Sequence, residues 1–334
     1  MDFLGWTTVM LLSVWHFGLV TAMAVPNSQE KYGRITPKIM IITMVSMSLV
    51  ICLAFLVAYS IQYWAESDAW YHETAKAELG DLLAVNITTP GLSMLYPHVH
   101  CLVDHSVCQV TAGEAEINAA ATITALVLSD KFDLKQTYFL AGGIAGVNPK
   151  YGTLGSVALS QYAVQVALQH ELDAREMPAN FSTGYFSYGT DGPSVYPTIL
   201  YGTEVFELST ALRDQAYSYA LRANLSDRVS CVEYRERYKA FGVTYSAATN
   251  PPNVVKCDTA TSDVYYSGAL LSQAFENVTK VWTNGTGKYC MTASEDNAVL
   301  EVLVRAAVEG LVDFSRVLVV RSGKFAKTKL HRTV

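Results

Sequence analysis

Two glycine-bearing segments and one acidic triplet are the parts of this sequence whose residue types and spacing could do chemistry. Gly113-Glu-Ala-Glu-Ile-Asn118-Ala-Ala and Gly143-Ile-Ala-Gly146 each follow a strand-like segment. Turns at the carboxyl ends of sheet strands are where α/β folds bind ligands, and glycine lets backbone N–H groups approach an anion or a sugar hydroxyl. Taken singly, each segment reads more simply as a tight turn. Two in series, with Glu295-Asp296-Asn297 just ahead of a helical stretch, point to a site. His98, His100, Cys101, His105 and Cys108 invite a metal, but their spacing fits no standard zinc pattern and none is expected. Ser160, Ser182 and Ser267 lack a nucleophile elbow and partners, which argues against a serine hydrolase.

The elements that must position these residues alternate in type. Val107 to Thr111 reads as a strand, Gly113 breaks it, and Ile117 to Leu128 is an Ala-rich helical stretch. Thr137 to Leu140 is a short apolar strand entering a turn over Ala141 to Gly146, and Gly155 to Val166 reads as a further strand. Glu204 to Leu221 and Val299 to Val312 carry helical spacing, and Val317 to Val320 is a last buried-type strand. Such alternation predicts a mixed or parallel sheet covered on both faces. There are no repeats, and Asn250-Pro-Pro-Asn253 reads as a surface turn, not a linker.

At 334 residues the chain makes one large domain or two small ones. With 51% hydrophobic and 16% charged residues, it is neither disordered nor collagenous. A net charge of −6 gives no electrostatic reason to bind nucleic acid. The basic residues Lys324, Lys327, Lys329 and Arg332 after Gly323 read as a solvated, atypical tail.

Residues 1–24 hold an apolar stretch closing on Ala22-Met23-Ala24, the pattern of a secretory signal peptide, although its front end lacks Lys and Arg. Five N-x-S/T triplets, at Asn86, Asn180, Asn224, Asn277 and Asn284, stand on turn-like sequence and suit a glycoprotein at the cell surface or outside the cell. Cys101 and Cys108 are candidates for a short hairpin bridge, and Cys257 and Cys290 for a longer one. That leaves Cys231 and Cys52, and the sequence does not fix the pairing.

From Ile39 to Ile61 run 23 residues without a charge, enough to cross a bilayer. Read literally, this is a membrane span. A second reading comes from codons, because Met44-Val45-Ser46-Met47 can encode an intron donor and Gln62 an acceptor. Removing Val45 to Gln62 joins a short strand to an acidic loop containing Glu66, as expected for the first strand of an α/β sheet.

Several stretches resemble the fungal purine nucleoside permease family: Gly113 to Leu128, Thr137 to Pro149, Thr153-Leu-Gly-Ser-Val157, Tyr201-Gly-Thr-Glu-Val-Phe206 and Cys257-Asp-Thr-Ala-Thr-Ser-Asp-Val-Tyr265. The resemblance covers a domain over residues 36–322, the apolar insert excepted. That family is similar to the nucleoside phosphorylase and nucleosidase superfamily. The resemblance implies an α/β three-layer sandwich with a mixed, mostly parallel sheet, a purine nucleoside as ligand with or without phosphate, and no cofactor; it leaves a homo-oligomer open. It implies that Gly113, Gly143 and Gly146 shape a phosphate or water pocket, that Tyr265 stacks on the base, and that Glu295 accepts hydrogen bonds from ribose hydroxyls. Asp263 and Asn118 stand at the matching nucleoside-binding motifs, and Glu66 is the acid expected to orient a water.

The implied function is nucleoside binding in support of uptake. The alternatives are an extracellular nucleosidase or phosphorylase and a non-catalytic surface glycoprotein. Departures from the superfamily weigh on the choice. Ile144 stands where a hydroxyl is common, Ala115 replaces a loop glycine, and no arginine cluster for phosphate is visible. After Arg321-Ser322 the expected proton-donating Asp is missing, so a C-terminally truncated, catalytically inactive chain is expected. The codons for Gly323-Lys324-Phe325 can again hold an intron donor.

Overall fold

The computed structural model describes residues 37–44, 67–72 and 79–326. The expected signal segment 1–24, the insert 45–62, Glu66 and tail residues 327–334 lie outside them. Contacts divide the chain into two units: Met1–Gly143, Ser209–Ser226 and Ala298–Val320 in the first, and Ile144–Leu208, Asp227–Asn297 and Arg321–Val334 in the second.

In the first unit β1 (Ile39–Met44) lies between β4 (Val107–Thr111) and the first part of β5 (Tyr138–Val147), parallel to both. Ile39–Met44 opens the long apolar run, so those six residues are strand. β3 (Val99–Cys101) pairs antiparallel with β4, and β2 (Val85–Ile87) antiparallel with β3. Every residue of β4 is buried, as a strand covered on both faces requires. A disulfide joins Cys101 to Cys108 across the β3–β4 pair. Helix α1 (67–72) docks on β4 through polar groups: Ser67 Oγ lies 2.8 Å from Thr111 Oγ1, and Tyr71 OH donates to Gln109 Oε1 at 3.1 Å. Helix α2 (Ala115–Val127) buries Ala119, Ile123 and Leu126, which its 3.6-residue period brings to one face. Helix α3 (Thr210–Ala220) begins where the Ser209 hydroxyl accepts from Leu212 N.

In the second unit β7 (Tyr162–Gln165), β12 (Asp258–Thr261) and β13 (Tyr289–Ala293) are parallel neighbours. β10 (Val205–Glu207) pairs antiparallel with β7, and Gly146 and Val147 of β5 pair antiparallel with β13. Helix α6 (Ala269–Trp282) covers these strands with Phe275, Val278 and Trp282, which pack with Val164, Ala260 and Tyr289. A second disulfide joins Cys257 to Cys290. β6 (Val157–Leu159) pairs in parallel with β11 (Val254–Lys256). The connection to β11 holds α4 (Val229–Glu236), a 3₁₀ stretch and α5 (Ser246–Thr249) around Tyr238, Tyr245 and Ala248. β8 (His170–Glu171) and β9 (Tyr185–Phe186) form a separate hairpin. Helix α7 (Asp296–Val308) starts in this unit, and β14 (Val317–Ala326) ends in it. In each unit the central strands are parallel and the flanking ones antiparallel, giving the mixed, mostly parallel sheet of an α/β protein. No helix among the described residues is long and apolar enough to cross a membrane.

Four local expectations change. Ala141 to Gly146 is no turn: these residues continue β5, because Gly142 and Gly143 find ladder partners in Thr43 and Met44, and Gly146 in Thr292. Gly155 to Val166 is two strands, broken where the Asp258 carboxylate accepts from the backbone N–H groups of Gln161 (3.0 Å) and Tyr162 (2.9 Å). Glu204 to Leu221 begins as β10 and becomes helical only after the Ser209 cap. Asn86 lies in β2 and Asn277 within α6, so neither stands on a turn.

Candidate functional site

Three parallel strands of the second unit end in register. Gln165 of β7 faces Thr261 of β12, and Thr261 faces Ala293 of β13. Parallel strands align their carboxyl ends on one edge, so the segments that follow emerge side by side. Ser262 N donates to the Ala293 carbonyl at 2.9 Å and ties two of those segments together.

Glu295 and Asp296, just past β13, are both fully buried. Two carboxylates at that depth require a counter-charge. Arg321, equally buried, supplies it. Its Nη2 donates to Glu295 Oε2 at 3.0 Å and to Asp296 Oδ1 at 2.8 Å, its Nε to Asp296 Oδ1 at 3.1 Å, and its Nη1 to the Ile144 carbonyl at 3.1 Å. Burial works against the guanidinium charge, but Asp296 and Glu295 outweigh it and hold its pKa above the usual arginine value. The planar fork thereby fixes how the Glu295 carboxylate is turned.

Asn297 completes the segment. Its Nδ2 donates to the carbonyls of Thr203 (2.7 Å) and Glu204 (3.3 Å), while its Oδ1 is buried without a partner. Thr261 Oγ1 at the end of β12 is likewise buried and unpaired. Asn297 Oδ1 and Thr261 Oγ1 are thus two acceptors without a donor at this edge. Such an edge favours a ligand that donates hydrogen bonds, as sugar hydroxyls do, over a phosphate.

Asp263 and Tyr265 lie in the segment after β12, and both are exposed, Tyr265 by 58%. The adjacent Tyr266 is instead a core residue, whose hydroxyl donates to Tyr289 OH at 2.9 Å. Gly146 is a strand residue opposite Thr292. Gly146, Asp263, Tyr265 and Glu295 thus all belong to the β5–β13–β12 region of the second unit, whereas Gly113, Gly143 and Asn118 belong to the first. Gly113 has φ +85°, and a Cβ there would meet Asn118 Cβ at 3.1 Å. The Asn118 Nδ2 donates back to the Glu114 carbonyl at 2.7 Å, closing its own loop. Glu66 is outside the described residues. Among the described residues no group of three or more His, Cys, Asp or Glu is arranged to hold a metal.

Sequence reasoning singles out Asn297 only as part of the acidic triplet, and misses Thr261, the grip of Asn297 on Thr203 and Glu204, and the pairing role of Arg321. The one available signal is Arg321 itself: a lone cation closing the apolar run Val317 to Val320 needs a buried acid.

A profile of the purine nucleoside permease family matches residues 36–330. The purine nucleoside permease of Candida albicans is 46% identical over 241 residues, covering 71% of this chain and 58% of that protein. A probable purine nucleoside permease of Schizosaccharomyces pombe is 40% identical over 295 residues, covering 86% of this chain and 77% of that protein. Among solved structures, the 5′-methylthioadenosine/S-adenosylhomocysteine nucleosidase of Neisseria meningitidis is 10% identical with a TM-score of 0.43, covering 87% of each chain. The futalosine hydrolase of Helicobacter pylori is 12% identical with a TM-score of 0.42, covering 86% of this chain and 88% of that one. The chain spans 58% of the length of its Candida albicans relative. On the profile match and these two identities, this chain belongs to the purine nucleoside permease family.

Proposed function

We propose that the chain binds purine nucleosides at the carboxyl edge of β7, β12 and β13 and that this binding serves their uptake at the cell surface. Glu295, buried in the ligand-free chain, accepts hydrogen bonds from the ribose hydroxyls once the ligand displaces what covers it, and Tyr265 offers its exposed ring to the base. The observation that carries this reading is the buried Glu295 carboxylate, held in one orientation by Arg321 Nη2 at 3.0 Å. Family membership supports the choice of a purine nucleoside, since both relatives are named as its permeases. The unpaired Asn297 Oδ1 and Thr261 Oγ1 acceptors support a neutral nucleoside over a nucleotide.

Calorimetric titration of the full chain with inosine, free ribose and AMP tests it. Inosine and ribose are expected to bind and AMP to bind more weakly, with Glu295→Gln losing at least tenfold for both sugar-bearing ligands, as removal of a charge-assisted bond implies. Equal affinity of Glu295→Gln and the parent for inosine would refute the site. Free hypoxanthine appearing in the same cell assigns cleavage to it, and a requirement for added phosphate assigns phosphorolysis.

A further inference from the structure

Residues 187–204, between β9 and β10, have no regular secondary structure. They expose Tyr196 by 53%, Leu200 by 58% and Tyr201 by 62%. The far end of this segment is nevertheless pinned. The Glu204 carboxylate, itself buried, accepts from Tyr201 N at 2.5 Å and from Gly202 N at 2.8 Å, and so closes a turn in which Gly202 has φ +88°. The Glu204 carbonyl accepts from Gln165 N at 2.8 Å, at the carboxyl end of β7. Asn297 Nδ2 then grips the Thr203 and Glu204 carbonyls from the first turn of α7, two residues beyond Glu295.

That grip comes at a cost. Because both partners are carbonyls, the Asn297 amide must turn its nitrogen towards them, which strands Oδ1 in the interior without a donor. Fold stability alone is better served by a side chain without a stranded acceptor. The gain is a rigid backbone beneath a solvent-facing ring. Tyr188 sets that ring by packing edge-on against Tyr201 at 5.5 Å between centroids. A ring with a fixed base and a free face suits stacking on a planar ligand, and stacking tolerates any purine because every base has a π-face.

We propose that Asn297 is a positioning residue that fastens the turn over residues 201–204 beside Glu295, and that Tyr201 is a second aromatic contact for the purine, in addition to Tyr265. The inference rests on the nucleoside reading of the same edge. It adds that base affinity is set from the β10 side through Asn297, and ribose affinity from the β13 side through Glu295.

The test pairs Tyr201→Leu and Tyr201→Phe with Asn297→Ala in the full chain. Inosine and ribose affinities are measured by calorimetry, and amide hydrogen exchange is followed at Tyr201 and Gly202. Tyr201→Leu, at an exposed position, is expected to fold normally, to weaken inosine about tenfold and to leave ribose unchanged. Tyr201→Phe is expected to match the parent. Asn297→Ala is expected to speed exchange at both amides in the ligand-free protein and to weaken inosine by a factor that does not multiply with that of Tyr201→Leu. Unchanged inosine affinity in Tyr201→Leu, with ribose still lost in Glu295→Gln, would overturn the role of Tyr201 and leave the nucleoside site standing. Unchanged exchange in Asn297→Ala would overturn the fastening role whatever the ligand does. A parent chain that binds neither inosine nor ribose overturns the site and this inference together.

Discussion

Replacing Arg321 by Met is the sharpest perturbation of this structure. Arg321, Glu295 and Asp296 are each fully buried, and the guanidinium makes bonds of 2.8 to 3.1 Å to both carboxylates and to the Ile144 carbonyl. Met fills much of the same volume, so the loss is electrostatic, with little cavity left behind. Two carboxylates then remain in the interior with no counter-ion, and breaking a buried pair in this way costs about 3–5 kcal/mol. Against a typical total stability of about 5–15 kcal/mol, that takes a large share of the margin. Urea unfolding followed by far-UV circular dichroism should show the midpoint falling with little change in slope. The triple substitution Arg321→Met, Glu295→Gln, Asp296→Asn should recover part of the loss, because it removes the stranded charges as well. A single Arg321→Met variant within about 1 kcal/mol of the parent would show that the cluster is solvated, and the argument for an oriented Glu295 would fall with it.

Three further outcomes follow from other parts of the chain. Ala115 holds φ +67°, a left-handed conformation that costs an L-residue roughly 1–2 kcal/mol, so Ala115→Gly should raise the unfolding free energy by a net of about 0.5–1 kcal/mol after the entropy of glycine is subtracted, read as a higher urea midpoint; a lower midpoint refutes the strain. Glu276 is opposed by burial, but Lys150 (2.6 Å) and Lys280 (2.9 Å) outweigh it and hold its pKa below the ordinary carboxylate value. Its contribution is therefore present above the unfolded-state pKa, about 4.3, and is lost as pH falls through the lower folded-state value. Glu276→Gln should flatten the acid limb of a stability–pH profile, and an unaltered limb argues against the pairing. Asn86, Asn180, Asn224 and Asn284 are exposed, whereas Asn277 is half-buried in α6 with its Oδ1 accepting from Ser194 Oγ at 3.1 Å. Peptide mapping of the chain secreted from a fungal host should find glycans among the first four and none at Asn277.

Local order was legible wherever a segment's partners matter less than its own pattern. Val107 to Thr111 is rich in β-branched residues and becomes β4. Gly113 breaks it, and the Ala-rich stretch behind folds as α2. The motifs quoted for the family resemblance fall in the span that its profile matches. Legibility ended where a neighbour decides. Glycines at 142, 143 and 146 read as a turn, yet β1 and β13 offer ladders on either side, and backbone pairing needs no side chain. Glu295 could be singled out as an acid ahead of a helix, but its burial and its clamp by Arg321 could not, since 26 residues separate the two.

What the amino-acid order determined by itself was the alternation of elements and the residue types at each strand end, because hydrophobic period and glycine placement act over a few residues. What only the tertiary structure decided was which ends share an edge and which polar atoms are left without a partner there. Asn297 shows why: its nitrogen is taken by carbonyls at Thr203 and Glu204, more than 90 positions away, and the orphaned Oδ1 exists only because that closure turned the amide one way.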